Sequence, residues 1–252
     1  MVYPTPRRAD PSEQARILRS ALAVVSAGAK RSACVFDLDS TLLNNHPRQA
    51  SIVRQFGAAE GDARLTLCGE EHITSWDQRD TLRALGLAAP EIDDVAPRLR
   101  AFWRACFFTS EQCEIDRANP GARDYLEAVL ARSGRIIYLT GRPAPMYAGT
   151  VESFRRAGFP LPGPEGSEGR VELWCKPETE PSDDAWKVFC HLRLAGLGGI
   201  ACAFDNEPVH INGYKEAFRG AVAVHLDTDH SGRPVALRAD IPSVRDFVLE
   251  AP

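Results

Sequence analysis

The chain has 252 residues, 44% hydrophobic and 25% charged, enough for one large domain or for a domain that carries an insertion. Its 30 Lys and Arg face 34 Asp and Glu, and the formal charge of −4 provides no basic field to hold a phosphate backbone, so nucleic acid is not the expected partner. The 7 cysteines include no C-x-x-C pair, residues 1–8 lack the apolar core of a signal peptide, and no apolar run is long enough to span a bilayer. A reduced, cytoplasmic protein without a membrane segment is expected.

Residues 11–27 place Ile17, Leu18, Ala21, Leu22 and Val25 at helical spacing, which predicts an amphipathic helix ending near Gly28. The run Ala33-Cys34-Val35-Phe36, closed by Asp37, predicts a short buried parallel strand. Residues 45–117 then carry no convincing strand and read as helices over 47–57, 76–86 and 91–108. One crossover needs far less chain than that. A helical cap inserted between strand 1 and strand 2 is therefore expected, on a core formed by 1–44 and 118–252. The aromatics Phe102, Trp103, Phe107 and Phe108 read as helix core rather than as a substrate platform.

Beyond the insertion, helices over 120–133, 145–157 and 183–195 alternate with apolar runs at 135–139, 171–175, 199–204 and 221–226, and 158–166 reads as a loop. Strands alternating with helices imply βαβ units, hence an α/β, Rossmann-like parallel sheet with helices on both faces. The runs stop at Thr140-Gly141-Arg142, Lys176-Pro177, Asp205-Asn206 and Asp227-Thr228-Asp229. In an open α/β sheet these carboxyl ends border the ligand crevice.

The sharpest local signal is Asp37-Leu38-Asp39-Ser40-Thr41. Two carboxylates at the end of a buried strand repel each other and are costly in an apolar setting, a cost that a cation relieves. Mg²⁺ binds through one or two carboxylates together with waters and a substrate phosphate. Beside such an ion, one Asp can attack phosphorus while the other transfers protons.

This segment resembles the first motif, DxDxT, of the haloacid dehalogenase superfamily. Leu139-Thr140-Gly141-Arg142 resembles the second motif and Phe204-Asp205-Asn206-Glu207 the fourth, while Asn119-Pro120-Gly121-Ala122 is similar to the family's re-entry from its cap. The resemblance implies a phosphatase-type member, since its dehalogenases lack the second Asp. It implies Asp37 as nucleophile and metal ligand, and Asp39 as general acid/base with its main-chain carbonyl on Mg²⁺. Thr140 and Gly141 would bind the phosphoryl group, and Asp205 the metal. Thr41, Arg142, Asn206 and Glu207 are accessory candidates.

The third-motif lysine is either Lys176 or Lys187. Lys176-Pro177 matches a common form of the motif, and a helical wheel turns Lys187 away from Ala185, Phe189 and Leu192, so Lys176 takes precedence. Many members carry a second acid four residues after the first of motif four; here that position is Val209, and Asn206, Glu207 or Asp227 would have to replace it. His210 and Asn212 are the next residues expected near the site, and Asn44, Asn45, His46 and Arg48 are candidates for leaving-group recognition. The expected activity is Mg²⁺-dependent hydrolysis of a small phosphomonoester through an aspartyl-phosphate. The alternatives are a polynucleotide-end phosphatase, suggested by Lys-Pro followed by Trp186-Lys187, and a non-hydrolytic phospho-Asp signalling or binding protein.

Overall fold

The computed structural model describes residues 7–27, 32–163, 169–180 and 182–249. Helix α1 (Pro11–Ala27) leads into β1 (Ala33–Phe36), whose four residues are all buried. A tight turn follows, then the two-residue strand β2 (Leu43–Asn44). The next segment is helical: α2 (His46–Glu60), α3 (Gln78–Ala84), α4 (Ala89–Phe107) and the single turn α5 (Ser110–Cys113). Strand β3 (Arg117–Ala118) returns the chain by pairing antiparallel with β2. Five further strands then alternate with helices: α6 (Ala122–Ala131), β4 (Arg135–Pro143), α7 (Tyr147–Ala157), β5 (Val171–Lys176), α8 (Asp183–Gly196), β6 (Ile200–Asp205), α9 (Pro208–Ala217), β7 (Val222–Leu226) and β8 (Ser243–Val244).

The sheet order is β5-β4-β1-β6-β7-β8, and every pairing in it is parallel. Successive side chains of a strand face opposite sides, and β1 shows the consequence. Cys34 and Phe36 join the core beneath α1, α6 and α7, while Ala33 and Val35 join the core beneath α8 and α9. Both faces are therefore covered, which is why the strand reads as an unbroken apolar run. Phe36 stacks on Phe204 of β6 with ring centroids 4.9 Å apart, locking the two central strands in register. The order reverses direction around β1, so its carboxyl end opens at the sheet's crevice.

Between β2 and β3 the chain builds a hydrophobic cluster of its own, from Ala50, Val53 and Phe56 of α2 to Ile92, Ala96 and Leu99 of α4. Gly57 is required there, because a Cβ would fall 2.9 Å from the main chain of Leu65 and Thr66. Several elements depart from the sequence reading. Strand β4 runs past Leu139 to Pro143 through a register shift, so Thr140-Gly141-Arg142 lies within the strand rather than beyond it. Strands β2, β3 and β8 and helix α9 were not anticipated. The expected helix end at Gly28 and the loop residues 164–166 lie outside the described residues. No helix among the described residues is long and apolar enough to cross a membrane.

Candidate active site

Asp37 continues β1 by donating its N–H to Phe204 O at 3.0 Å. The chain then folds back: Thr41 N and Leu43 N both donate to Leu38 O, at 3.1 and 2.9 Å, and Ser40 takes a φ of 60°. A left-handed non-glycine residue costs about 1–2 kcal/mol, and the turn's hydrogen bonds offset it. The outcome is that Asp37 and Asp39 sit on one tight turn at the crevice.

Lys187 reaches across from the second turn of α8. Its Nζ donates to Asp37 Oδ1 at 2.8 Å and to Asp205 Oδ2 at 2.6 Å, and its side chain is only 4% exposed. Burial together with the charges of Asp205 and Asp39 pushes the Asp37 carboxyl up to about 7, against the opposing pull of Lys187. Asp205 is also buried, yet the Lys187 and His210 charges hold it well below the usual carboxylate range. Burial alone would lower the Lys187 ammonium; Asp205 and Asp37 outweigh it and keep the lysine charged.

This geometry corrects the order of the two lysines. Lys176 pairs with Asp183 at 2.7 Å, at the end of edge strand β5, and makes no contact with Asp37 or Asp205. The wheel misled because α8 buries Trp186, Lys187, Cys190 and Leu194 while Phe189 and Leu192 face solvent. The Trp186 indole donates to Thr140 O at 3.1 Å, turning that face of the helix toward the sheet. A lysine is tolerated there because two carboxylates satisfy it.

Asp39 is held differently. Arg142 Nε and Nη2 both bond its carboxylate at 2.8 Å, and Arg48 Nη2 is a third donor. Both arginines also reach Asp116, at 2.6 Å from Arg142 Nη2 and 3.0 Å from Arg48 Nε. Although burial raises the Asp39 carboxyl, the two guanidinium charges win and hold it well below the usual range. Arg48 Cζ also lies over Phe107, 3.8 Å from the ring centroid, and Arg48 Nη1 donates to Phe107 O at 3.1 Å. It is fully buried, is held by Asp39 and Asp116, and does not line the cavity, which removes it from the leaving-group candidates. Asn45 and His46 are likewise engaged, with Gln49 and Asp229.

The other candidates spread around these two centres. Thr140 Oγ1 accepts from Arg142 N at 3.1 Å, and Gly141 sits so close to Asp183 that a Cβ would fall 2.6 Å from its carboxylate. Thr41 and Asn206 bond each other at 3.1 Å, and Asn206 reaches on to Asp229 O. The Glu207 carboxylate accepts from Ser231 and that of Asp227 pairs with Arg8, so neither side chain turns to Asp205, although Glu207 N donates to Asp205 Oδ1 at 2.9 Å. His210 does, with Nδ1 3.5 Å from Asp205 Oδ1, while Asn212 bonds Ala236 O away from the site. Sequence reasoning missed Asp116 entirely, since nothing near it in the chain announces two arginines.

A cavity of about 1020 Å³ opens over these groups, with Asp37, Asp39, Thr140 and Lys187 on its floor and Trp76, Trp103, Phe107 and Phe108 on the opposite wall. Thus the aromatics read as helix core also face the cavity, apart from Phe102, which packs on Phe56. No group of three His, Cys, Asp or Glu suited to a metal occurs among the described residues. The donor set still fits Mg²⁺, which binds through one or two hard carboxylates and keeps its waters. Asp37 and Asp205 share one ammonium, so two carboxylates face a single cation at the crevice.

No family model matches this sequence, and no curated protein does. Solved structures do. A Clostridium difficile protein described as a candidate phosphatase aligns with a TM-score of 0.54 at 10% identity, over 87% of this chain and 96% of its own. A predicted phosphoglycolate phosphatase from Haemophilus somnus 129pt aligns with a TM-score of 0.50 at 15% identity, over 87% and 96%. A haloacid dehalogenase-like family hydrolase from Streptococcus pneumoniae aligns with a TM-score of 0.49 at 13% identity, over 85% and 93%. With the acids at 37, 39 and 205 on the carboxyl ends of its central strands, the chain shares the fold of the two solved structures described as phosphatases that align at a TM-score of 0.50 or above.

Proposed function

We propose that the chain is a hydrolase of small phosphomonoesters in which Asp37 is the nucleophile and carries the phosphoryl group transiently. The observation that carries this reading is Lys187, buried in the cavity floor within 2.8 Å of Asp37 and 2.6 Å of Asp205. A carboxylate poised beside a fixed cation, at the open end of a parallel sheet, is suited to attack an anionic phosphoryl group.

In this reading Asp37, Asp39 and Asp205 would hold Mg²⁺, which would supply charge neutralisation for the phosphoryl oxygens. The Asp37 carboxylate forms the new O–P bond as the bond to the leaving oxygen breaks. Water then attacks the same phosphorus and restores the Asp37 carboxylate. Lys187 neutralises charge on the nucleophile and the phosphoryl group throughout, and the Thr140 hydroxyl and Gly141 N–H bind phosphoryl oxygens. Asp39 donates the proton to the leaving oxygen and recovers one from the attacking water. The two arginines set a condition on that role, because Asp39 must be released from them to carry a proton. Residues 45–117 act as a cap that excludes water and limits substrate size.

The test is phosphate release across a panel of small phosphoesters, with Mg²⁺ and with EDTA. Turnover of at least one ester with Mg²⁺, lost in EDTA and in Asp37→Asn, supports the assignment; full turnover by folded Asp37→Asn refutes it.

A further inference from the structure

Resting on that hydrolase reading, we propose that the α4 wall of the cavity is a leaving-group subsite, built for an aromatic ring that bears a second anionic substituent. Arg100 and Arg104 lie one helical turn apart on α4 and both line the cavity. Neither takes part in a hydrogen bond or ion pair among the described residues. The acids lining the cavity beyond its floor are already engaged: Asp77 with Arg79 N, Asp80 with Ser75 and Arg83, Asp183 with Lys176, and Glu207 with Ser231. The wall therefore holds two unmatched positive charges directed at a cavity whose floor binds phosphate. A monoester without another charge uses only the floor.

The second half of the chemistry is aromatic. Trp103 stacks on Phe107 at 4.2 Å, Trp76 meets both edge-on at 5.9 and 5.5 Å, and Phe108 stands against them 43% exposed. Trp103 and Phe107 are buried and back the wall, while the partly buried Trp76 and the exposed Phe108 present ring surface suited to stacking with a planar group. The indole nitrogens of Trp76 and Trp103 are buried without a hydrogen-bond partner. Two arginine forks above a ring platform match a carboxylate or phosphate carried on an aromatic leaving group.

The experiment compares phenyl phosphate with 4-carboxyphenyl phosphate on the intact chain with Mg²⁺, in wild type and in Arg100→Gln/Arg104→Gln. A charge-assisted contact predicts at least about tenfold higher kcat/KM for the carboxylated ester in wild type, and a ratio near unity in the double variant. Equal kcat/KM for the two esters in wild type, or a wild-type ratio that survives in the double variant, overturns the subsite. If neither ester is hydrolysed, the wider ester panel decides the hydrolase reading, and binding decides the subsite alone. Titrating 4-carboxyphenyl phosphate against tryptophan emission should then show at least about tenfold weaker binding in the double variant. Identical titrations would overturn it.

Discussion

Replacing Arg48 by methionine removes one of two cations from a buried group of four charges. The side chains of Arg48, Arg142 and Asp116 are fully buried, and Asp39 is 19% exposed. The group is neutral as it stands, and Arg48→Met leaves it with an excess negative charge in the interior. Methionine keeps most of the length and packing over Phe107, so the loss is mainly electrostatic. Removing one partner of a buried pair costs about 3–5 kcal/mol, because the remaining charge stays desolvated. For a chain of this size that corresponds to a fall in Tm of roughly 6–20 °C. Arg48→Lys, which keeps the charge but not the planar fork, should fall between the two. The neutralising double variant Arg48→Met/Asp116→Asn should recover part of the loss, a coupling of about 0.5–3 kcal/mol. Differential scanning calorimetry of the four proteins reads all of this. A Tm for Arg48→Met within about 2 °C of wild type would show that the interior does not penalise the unmatched carboxylates, and the argument would fail.

Lys187→Met should lower kcat by about 10²–10³, as expected for losing a fixed cation beside the reacting phosphoryl group. Lys176→Met loses only a pair whose partner Asp183 is 51% exposed, and steady-state assays should find it near wild type. His225 is buried, with Nδ1 2.8 Å from Ser243 Oγ and Nε2 3.0 Å from Asn206 O, and burial lowers its pKa from 6.5. The unfolded chain therefore takes up that proton first, so stability is full above about pH 6.5 and declines as pH falls through the lower folded value. Tm measured against pH should show that decline, and His225→Gln should flatten it. Gly149→Ala would place a methyl 2.3 Å from Ser110 O, wedging α5 off α7 at a cost of about 1–3 kcal/mol by urea denaturation. Gly196→Ala, with open space around its Cβ, is the neutral control.

The central strands were legible because each is a short apolar run buried on both faces and ended by an ionisable residue, as in Ala33–Phe36 before Asp37. The two-residue strands β2, β3 and β8 carry no periodicity to read, and their pairing is decided by the chain that surrounds them. The acids at 37, 39 and 205 were readable from their place at strand ends. The lysine was not, because hydrophobicity alone oriented α8 the wrong way; Trp186 and two distant carboxylates decide its buried face. Arg48 and Asp116 were beyond local reading for a similar reason. Their partners stand up to 103 residues apart in sequence, as for Arg142 and Asp39, and only the fold brings them together.

The central claim is that Asp37 becomes covalently phosphorylated. Mixing the chain with Mg²⁺ and a hydrolysed ester, quenching in acid within a turnover and mapping the peptides by mass spectrometry tests it directly. A phosphoryl group on Asp37, absent when the ester or Mg²⁺ is withheld, is the predicted result. Steady phosphate release with every aspartate of the quenched chain unmodified, and with Asp37→Asn turning over as fast as wild type, would contradict it.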